Sequence, residues 1–136
     1  MRKRNIPVLE PVLEGNEKAY VAECLDTGWI SSKGQFVERF ESKFSALHRN
    51  LFSVSTSSGT TALHLALLAL GIKQGDEVIV PDLTFSATVN AVLYCGATPI
   101  LVDVNAQSWN LTGEIVESAI TSRTKAIIPV HLYGQP

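Results

Sequence analysis

Ser57-Ser58-Gly59-Thr60-Thr61 is the segment whose residue types lend themselves most directly to chemistry. It lies between a stretch that reads as a short strand, 51–55, and an almost wholly apolar stretch that reads as a helix, 60–70. The first N–H groups of a helix lack intrahelical partners, and the helix dipole is positive at that end. Gly59 lets a ligand approach the backbone and the hydroxyls add donors, so the turn suits a phosphate. The same residues serve equally well as an ordinary Ser/Thr helix cap. The motif is neither a P-loop nor a GxGxxG dinucleotide fingerprint.

Other candidates sit where strands end. Phe85 follows Pro81-Asp82-Leu83-Thr84 beyond the second predicted strand, where ligands of open α/β sheets bind. Its ring either stacks on a flat cofactor or belongs to the core at a helix start. His131 and Tyr133 follow the last predicted strand and are either ligand contacts or ordinary loop residues. Trp29, in a loop between Gly28 and Gly34, is a packing anchor or part of a binding mouth. His64 lies inside the apolar helix and reads as a core histidine, and Asp103 as a solvated carboxylate at a strand end. No histidine pair has metal-ligand spacing, and neither a GxSxG elbow nor a serine-centred triad motif is present.

The elements that must position these residues read as follows. A helix is predicted over 14–26, with Val21, Cys24 and Leu25 on one face and Gly28 as its stop. A second begins near Gln35, where Phe36, Val37, Phe40, Phe44 and Leu47 recur at helical spacing. From residue 51 the pattern becomes β-α-β-α-β-α-β, with strands at 51–55, 77–81, 98–104 and 126–130. Helices are predicted near 60–70, 84–94 and 112–120. This alternation predicts a parallel sheet with helices on its faces. The strands are continuous apolar runs, which predicts burial on both faces. The last strand is followed by no helix, so the chain is expected to be part of a larger domain, with apolar surface left bare.

Composition narrows the function classes. In a chain of 136 residues, 46% hydrophobic and 18% charged residues exclude disorder for most of its length. A net charge of −2 argues against nucleic acid or an anionic membrane as the main partner. The basic start Met1-Arg2-Lys3-Arg4 is followed by no long apolar run, so neither a signal peptide nor a membrane helix is expected. Cys24 and Cys95 match no ligand spacing and suit a reducing compartment.

Five blocks, in order, carry a resemblance that covers the chain from about Ile6. They are Thr27-Gly28-Trp29-Ile30-Ser31-Ser32, Gly59-Thr60-Thr61-Ala62-Leu63-His64-Leu65, Gly75-Asp76-Glu77-Val78-Ile79-Val80-Pro81, Tyr94-Cys95-Gly96-Ala97-Thr98-Pro99 and Pro129-Val130-His131-Leu132-Tyr133-Gly134-Gln135. Together they resemble the DegT/DnrJ/StrS family of nucleotide-sugar aminotransferases. The resemblance implies an α/β fold, the amino-terminal part of the large domain of a fold-type-I (aspartate aminotransferase) enzyme. Residues 1–50 would be its N-terminal helical segment and 51–136 a partial cofactor-binding domain. It implies pyridoxal 5′-phosphate as cofactor, with Gly59 and Thr60 at the phosphate and Phe85 stacked on the pyridine ring. Trp29, Ile30 and Ser31 match the segment near the sugar-nucleotide pocket, and His131 matches a residue near the cofactor. The implied reaction moves an amino group from glutamate to a 4-keto-6-deoxy sugar nucleotide for O-antigen synthesis, in a cytoplasmic homodimer with sites at the subunit interface.

The family's covalent lysine and the Asp that partners the pyridine nitrogen match no position here. Lys3, Lys18, Lys33, Lys43, Lys73 and Lys125 all lie elsewhere in the pattern, so no catalytic residue is assigned. An inactive fragment is therefore expected. A non-catalytic remnant, or a regulatory or dimerising module of the same fold, is the rival reading.

Overall fold

The structure, a computed structural model, describes residues 7–49 and 51–136. The basic start Met1–Arg4 and the Ile6 edge of the resemblance lie outside the described residues. The chain divides into two compact units, Met1–Ser55 and Thr56–Pro136.

The first unit is built on two helices, α1 (Glu17–Thr27) and α2 (Gln35–Leu47). Helix α1 starts three residues later than its apolar pattern predicts. The Glu17 carboxylate accepts the Gly15 N–H at 2.9 Å and holds the chain in a turn ahead of the first helical residue. Gly28 ends α1 in the left-handed region, φ 74°, as expected of a glycine stop. Tyr20 of α1 packs on Phe36 of α2 with ring centroids 4.7 Å apart, and the Arg39 guanidinium lies 5.1 Å from the Tyr20 centroid. Val21 and Leu25 remain exposed beside this contact.

The predicted strand at 51–55 does not form; these residues have no ladder partner among the described residues. Instead the Glu41 carboxylate of α2 accepts both the Ser55 N–H, at 2.7 Å, and the Ser55 hydroxyl, at 2.9 Å. These hydrogen bonds, that from the backbone foremost, hold the Glu41 carboxyl below its usual value.

The second unit contains α3 (Gly59–Ala69), β1 (Glu77–Pro81), α4 (Ser86–Tyr94), β2 (Thr98–Val102), α5 (Gly113–Ala119) and β3 (Thr124–Ile127), then a 3₁₀ turn at Leu132–Gly134. The strands form a parallel sheet in the order β2-β1-β3. Parallel pairing is the predicted arrangement, with three strands in place of four. β1 is buried throughout, and Val78, Ile79 and Val80 have no exposed surface. Leu67 of α3 and Ala91 and Val92 of α4 pack with Val78 and Val80, and Leu63 and Cys95 lie against this cluster. Burial pushes the Cys95 thiol upward, in keeping with a cysteine that acts as a small hydrophobe.

The expectation that every strand is covered on both faces holds only for β1. Leu101 of β2 and Ile127 of β3 are 58% and 44% exposed, because these are the outer strands. β2 ends at Val102 rather than 104, where the Asp103 carboxylate takes the Val104 N–H at 2.8 Å. β3 runs over 124–127 rather than 126–130. Its pairing begins at Thr124 opposite Glu77, and a last bond runs from the Ile128 N–H to the Ile79 carbonyl before Pro129, which has no N–H.

One charged side chain opens the buried strand. Glu77, 3% exposed, accepts from the Thr121 hydroxyl and pairs with Arg123, which joins the amino ends of β1 and β3. The Thr121 hydrogen bond is the chief reason its carboxyl sits below the usual glutamate value. A carboxyl whose pKa is lowered by folding stabilises the fold above its unfolded pKa, and that contribution disappears as pH falls through the folded value. Thr121→Val is therefore expected to move the acid-unfolding midpoint to higher pH, and Glu77→Gln to flatten the acid limb. Circular dichroism against pH checks both; an unmoved midpoint in Thr121→Val contradicts the clamp.

Candidate functional site

The start of α3 is formed by a reciprocal cap. The Ser58 hydroxyl accepts the Thr61 N–H at 3.3 Å, and the Thr61 hydroxyl accepts the Ser58 N–H at 3.1 Å. The Ser58 carbonyl takes the Ala62 N–H at 3.0 Å. The cap thus satisfies the third helical N–H and leaves the first two. The N–H groups of Gly59 and Thr60 have no acceptor among the described residues, and neither has the Thr60 hydroxyl. A Cβ placed on Gly59 would meet nothing within 4 Å, so the backbone there is open to a ligand. Ser58 and Thr61 cap the helix, and Gly59 and Thr60 keep donors without partners among the described residues.

Phe85 stands immediately before α4, with extended backbone (φ −71°, ψ 138°). It is 79% exposed and stands outside the core cluster built on β1. The helix start behind it is held by the Thr88 N–H on the Phe85 carbonyl, 3.0 Å, and by the Thr84–Thr88 hydroxyl pair, 2.9 Å. His131 is exposed and precedes the 3₁₀ turn after β3. Because β1 and β3 are adjacent and parallel, the segments carrying Phe85 and His131 leave the same edge of the sheet. α3 returns through 70–76 to the amino end of β1, so its start faces the carboxyl edge.

Trp29, Ile30 and Ser31 belong to the first unit, where they line a shallow groove with Lys33, Gly34 and Gln35. Gly34 has φ 150°, and a Cβ there would lie 3.4 Å from the Trp29 Cβ, so this turn needs glycine. Trp29 is packed at its root and remains 56% exposed.

Of the other candidates, His64 is a packing group and Asp103 a surface carboxylate. His64 is half-buried and meets the Tyr94 ring edge-on, with centroids 5.6 Å apart. Asp103 is exposed. Among the described residues no cluster of three or more His, Cys, Asp or Glu side chains suits a metal, and no helix is long and apolar enough to cross a membrane. Sequence reasoning passed over Asn110, a buried amide in the connection from β2 to α5, and Glu77. A glutamate opening a run of buried β-branched residues was a signal for Glu77; Asn110 carried none.

An open helix start and an exposed aromatic at the carboxyl edge of a parallel sheet define an α/β domain fit for a phosphate-bearing, flat-ringed ligand. The chain belongs to the DegT/DnrJ/EryC1/StrS aminotransferase family, whose sequence profile matches residues 11–136. It is 56% identical over 131 residues to a GDP-perosamine synthase of Escherichia coli O157:H7, covering 96% of this chain and 36% of that protein. A GDP-perosamine synthase of Caulobacter vibrioides is 55% identical over 130 residues, covering 96% of this chain and 35% of that protein. The chain thus spans about a third of the length of these curated relatives. Among solved structures, NtdA of Bacillus subtilis with bound cofactor PMP superposes with a TM-score of 0.78 at 46% identity. That match covers 86% of this chain and 27% of NtdA.

Proposed function

We propose that these residues form the amino-terminal part of the large domain of a pyridoxal-phosphate-dependent sugar aminotransferase. The observation that carries the reading is the pair of unclaimed N–H groups at Gly59 and Thr60, at the carboxyl edge where Phe85 is exposed. The cofactor's two recognition features are a phosphate and a flat pyridine ring, and the residues fit both. Gly59 and Thr60 hold the phosphate through two N–H groups and one hydroxyl, and Phe85 covers one face of the ring. The bound cofactor supplies the electron sink for exchanging an amino and a keto group.

The rest of the reading follows the relatives. The acceptor is a 4-keto-6-deoxy sugar on a nucleotide, GDP by likeness to the perosamine synthases, and the donor is glutamate. Trp29, Ile30 and Ser31 serve the nucleotide-sugar side and His131 the cofactor side. The complete enzyme works in the cytoplasm as a homodimer in O-antigen sugar synthesis. Residues 1–50 are its N-terminal helical segment and 51–136 its partial cofactor domain.

Phe85→Ala tests the ring contact with little risk to the fold, since so exposed a side chain contributes little packing. Affinity for pyridoxal phosphate, read by fluorescence titration, is expected to fall by roughly tenfold, in line with about 1–1.5 kcal/mol for an aromatic stack. Unchanged affinity, with unchanged thermal stability, counts against Phe85 as the stacking residue.

A further inference from the structure

We infer that Asn110 is a positioning residue: its buried amide ties loop 105–110 to segment 131–135 and so holds His131 in place at the carboxyl edge. The functional half of this statement rests on the cofactor reading above.

Asn110 is 9% exposed. Its Nδ2 donates to the Gln135 carbonyl at 2.9 Å, and its Oδ1 accepts the Leu132 N–H at 3.4 Å. One side chain therefore grips both ends of the turn that follows His131. Only a carboxamide does this, because it offers a donor and an acceptor on one planar group. The grip comes from a loop that is itself closed by hydrogen bonds. Asn105 Oδ1 accepts the N–H groups of Gln107 and Ser108 at 2.9 and 3.0 Å. The Asn105 N–H donates to the Asn110 carbonyl at 3.0 Å, and the Trp109 N–H to the Asn105 carbonyl at 2.7 Å.

Two residues with side chains adopt the left-handed backbone here, Trp109 (φ 60°) beside Asn110 and Tyr133 (φ 54°) inside the clamped turn. Their rings meet edge-on at 6.3 Å. Such conformations are unfavourable for a residue with a Cβ and persist where the surroundings over-determine them. The clamp lies away from the β1 core, so its loss should loosen the turn and leave the sheet standing.

Hydrogen exchange read by mass spectrometry on the whole chain tests this, with and without pyridoxal phosphate. In Asn110→Leu, which keeps the branched shape and lacks both polar atoms, peptides over 130–136 are expected to exchange about tenfold faster. Peptides over 77–81 should be unchanged. Asn110→Asp keeps the acceptor for Leu132 and sets a carboxylate against the Gln135 carbonyl, so 130–136 should again exchange faster than in the wild type; it also serves if Asn110→Leu does not fold. Pyridoxal phosphate should protect 56–62 in the wild type and in both variants, and 130–136 in the wild type alone. Unchanged exchange over 130–136 in both variants overturns the clamp. Undiminished protection of 130–136 by the ligand in the variants overturns its positioning role. If 56–62 is unprotected in the wild type, the cofactor reading fails, while the ligand-free arm still decides the clamp.

Discussion

Borohydride reduction of the 136-residue chain in the presence of pyridoxal phosphate is expected to leave no single, stoichiometrically labelled lysine. The same material is expected to show no turnover of glutamate with a keto-sugar nucleotide. Covalent catalysis needs an amine that reaches the cofactor's reactive carbon. Lys125 is on β3 at the amino edge of a parallel sheet, and Lys73 is in the turn entering β1, its N–H held by Asp76 at 3.0 Å. Gly59, Phe85 and His131 belong to the opposite edge. A strand of this length separates the two edges by about 16 Å, more than a lysine side chain spans. Lys18 and Lys43 lie on α1 and α2, and Lys33 lies in the loop between them. None of the three matches the family's covalent position. The expected rate deficit against an enzyme that carries the family's covalent lysine is at least about a millionfold. One stoichiometric adduct at a single lysine, together with turnover, would overturn the argument. Full cofactor binding without turnover would support the cofactor site and the absence of a reaching lysine among these 136 residues together.

The second large effect concerns the phosphate turn. Gly59→Ala is expected to leave stability unchanged or slightly raised, because Gly59 opens α3 without a left-handed backbone and its Cβ direction is empty. The same change puts a methyl group on the face a phosphate must approach, so affinity for pyridoxal phosphate should fall. Thr60→Val removes a hydroxyl that has no partner of its own among the described residues. A hydrogen bond to a charged group contributes about 1.5–3 kcal/mol, so affinity should drop roughly ten- to hundredfold. Ser58→Ala, by contrast, removes the cap and should cost about 1 kcal/mol of stability. Thermal melts and ligand titrations on the three variants separate the roles. Equal ligand affinity across wild type, Gly59→Ala and Thr60→Val would mean that the turn is a helix cap and nothing more.

Much of the fold was legible because its signals are local. The heptad-like spacing of Phe36, Phe40, Phe44 and Leu47 marks α2, and Gly28 marks the end of α1. Val78-Ile79-Val80 announces a central strand, and it is the most buried segment of the chain. The errors lie where a distant partner intervened. Residues 51–55 have strand composition, yet Ser55 bonds to Glu41 and no strand lies beside them among the described residues. β2 has the apolar character of β1, and β3 carries Thr124 and Lys125; both occupy the outer positions, so they are half-covered.

The sequence by itself determined the class of fold, the order of its elements from residue 59 onward and the family, because periodicity, glycine stops and ordered motifs are properties of neighbouring residues. It also singled out the turn at 57–61 and the aromatic that follows β1. Only the tertiary structure decided what those residues have free to offer. Whether Gly59 and Thr60 keep open donors depends on which hydroxyl closes the cap, and that is settled by the Ser58–Thr61 exchange. Whether Phe85 is core or surface depends on how α4 meets the sheet. The Glu77 clamp to Thr121 and Arg123, and the Asn110 grip on Leu132 and Gln135, join residues far apart in the chain. A polar group's partner is set by three-dimensional proximity, and local pattern carries no record of it.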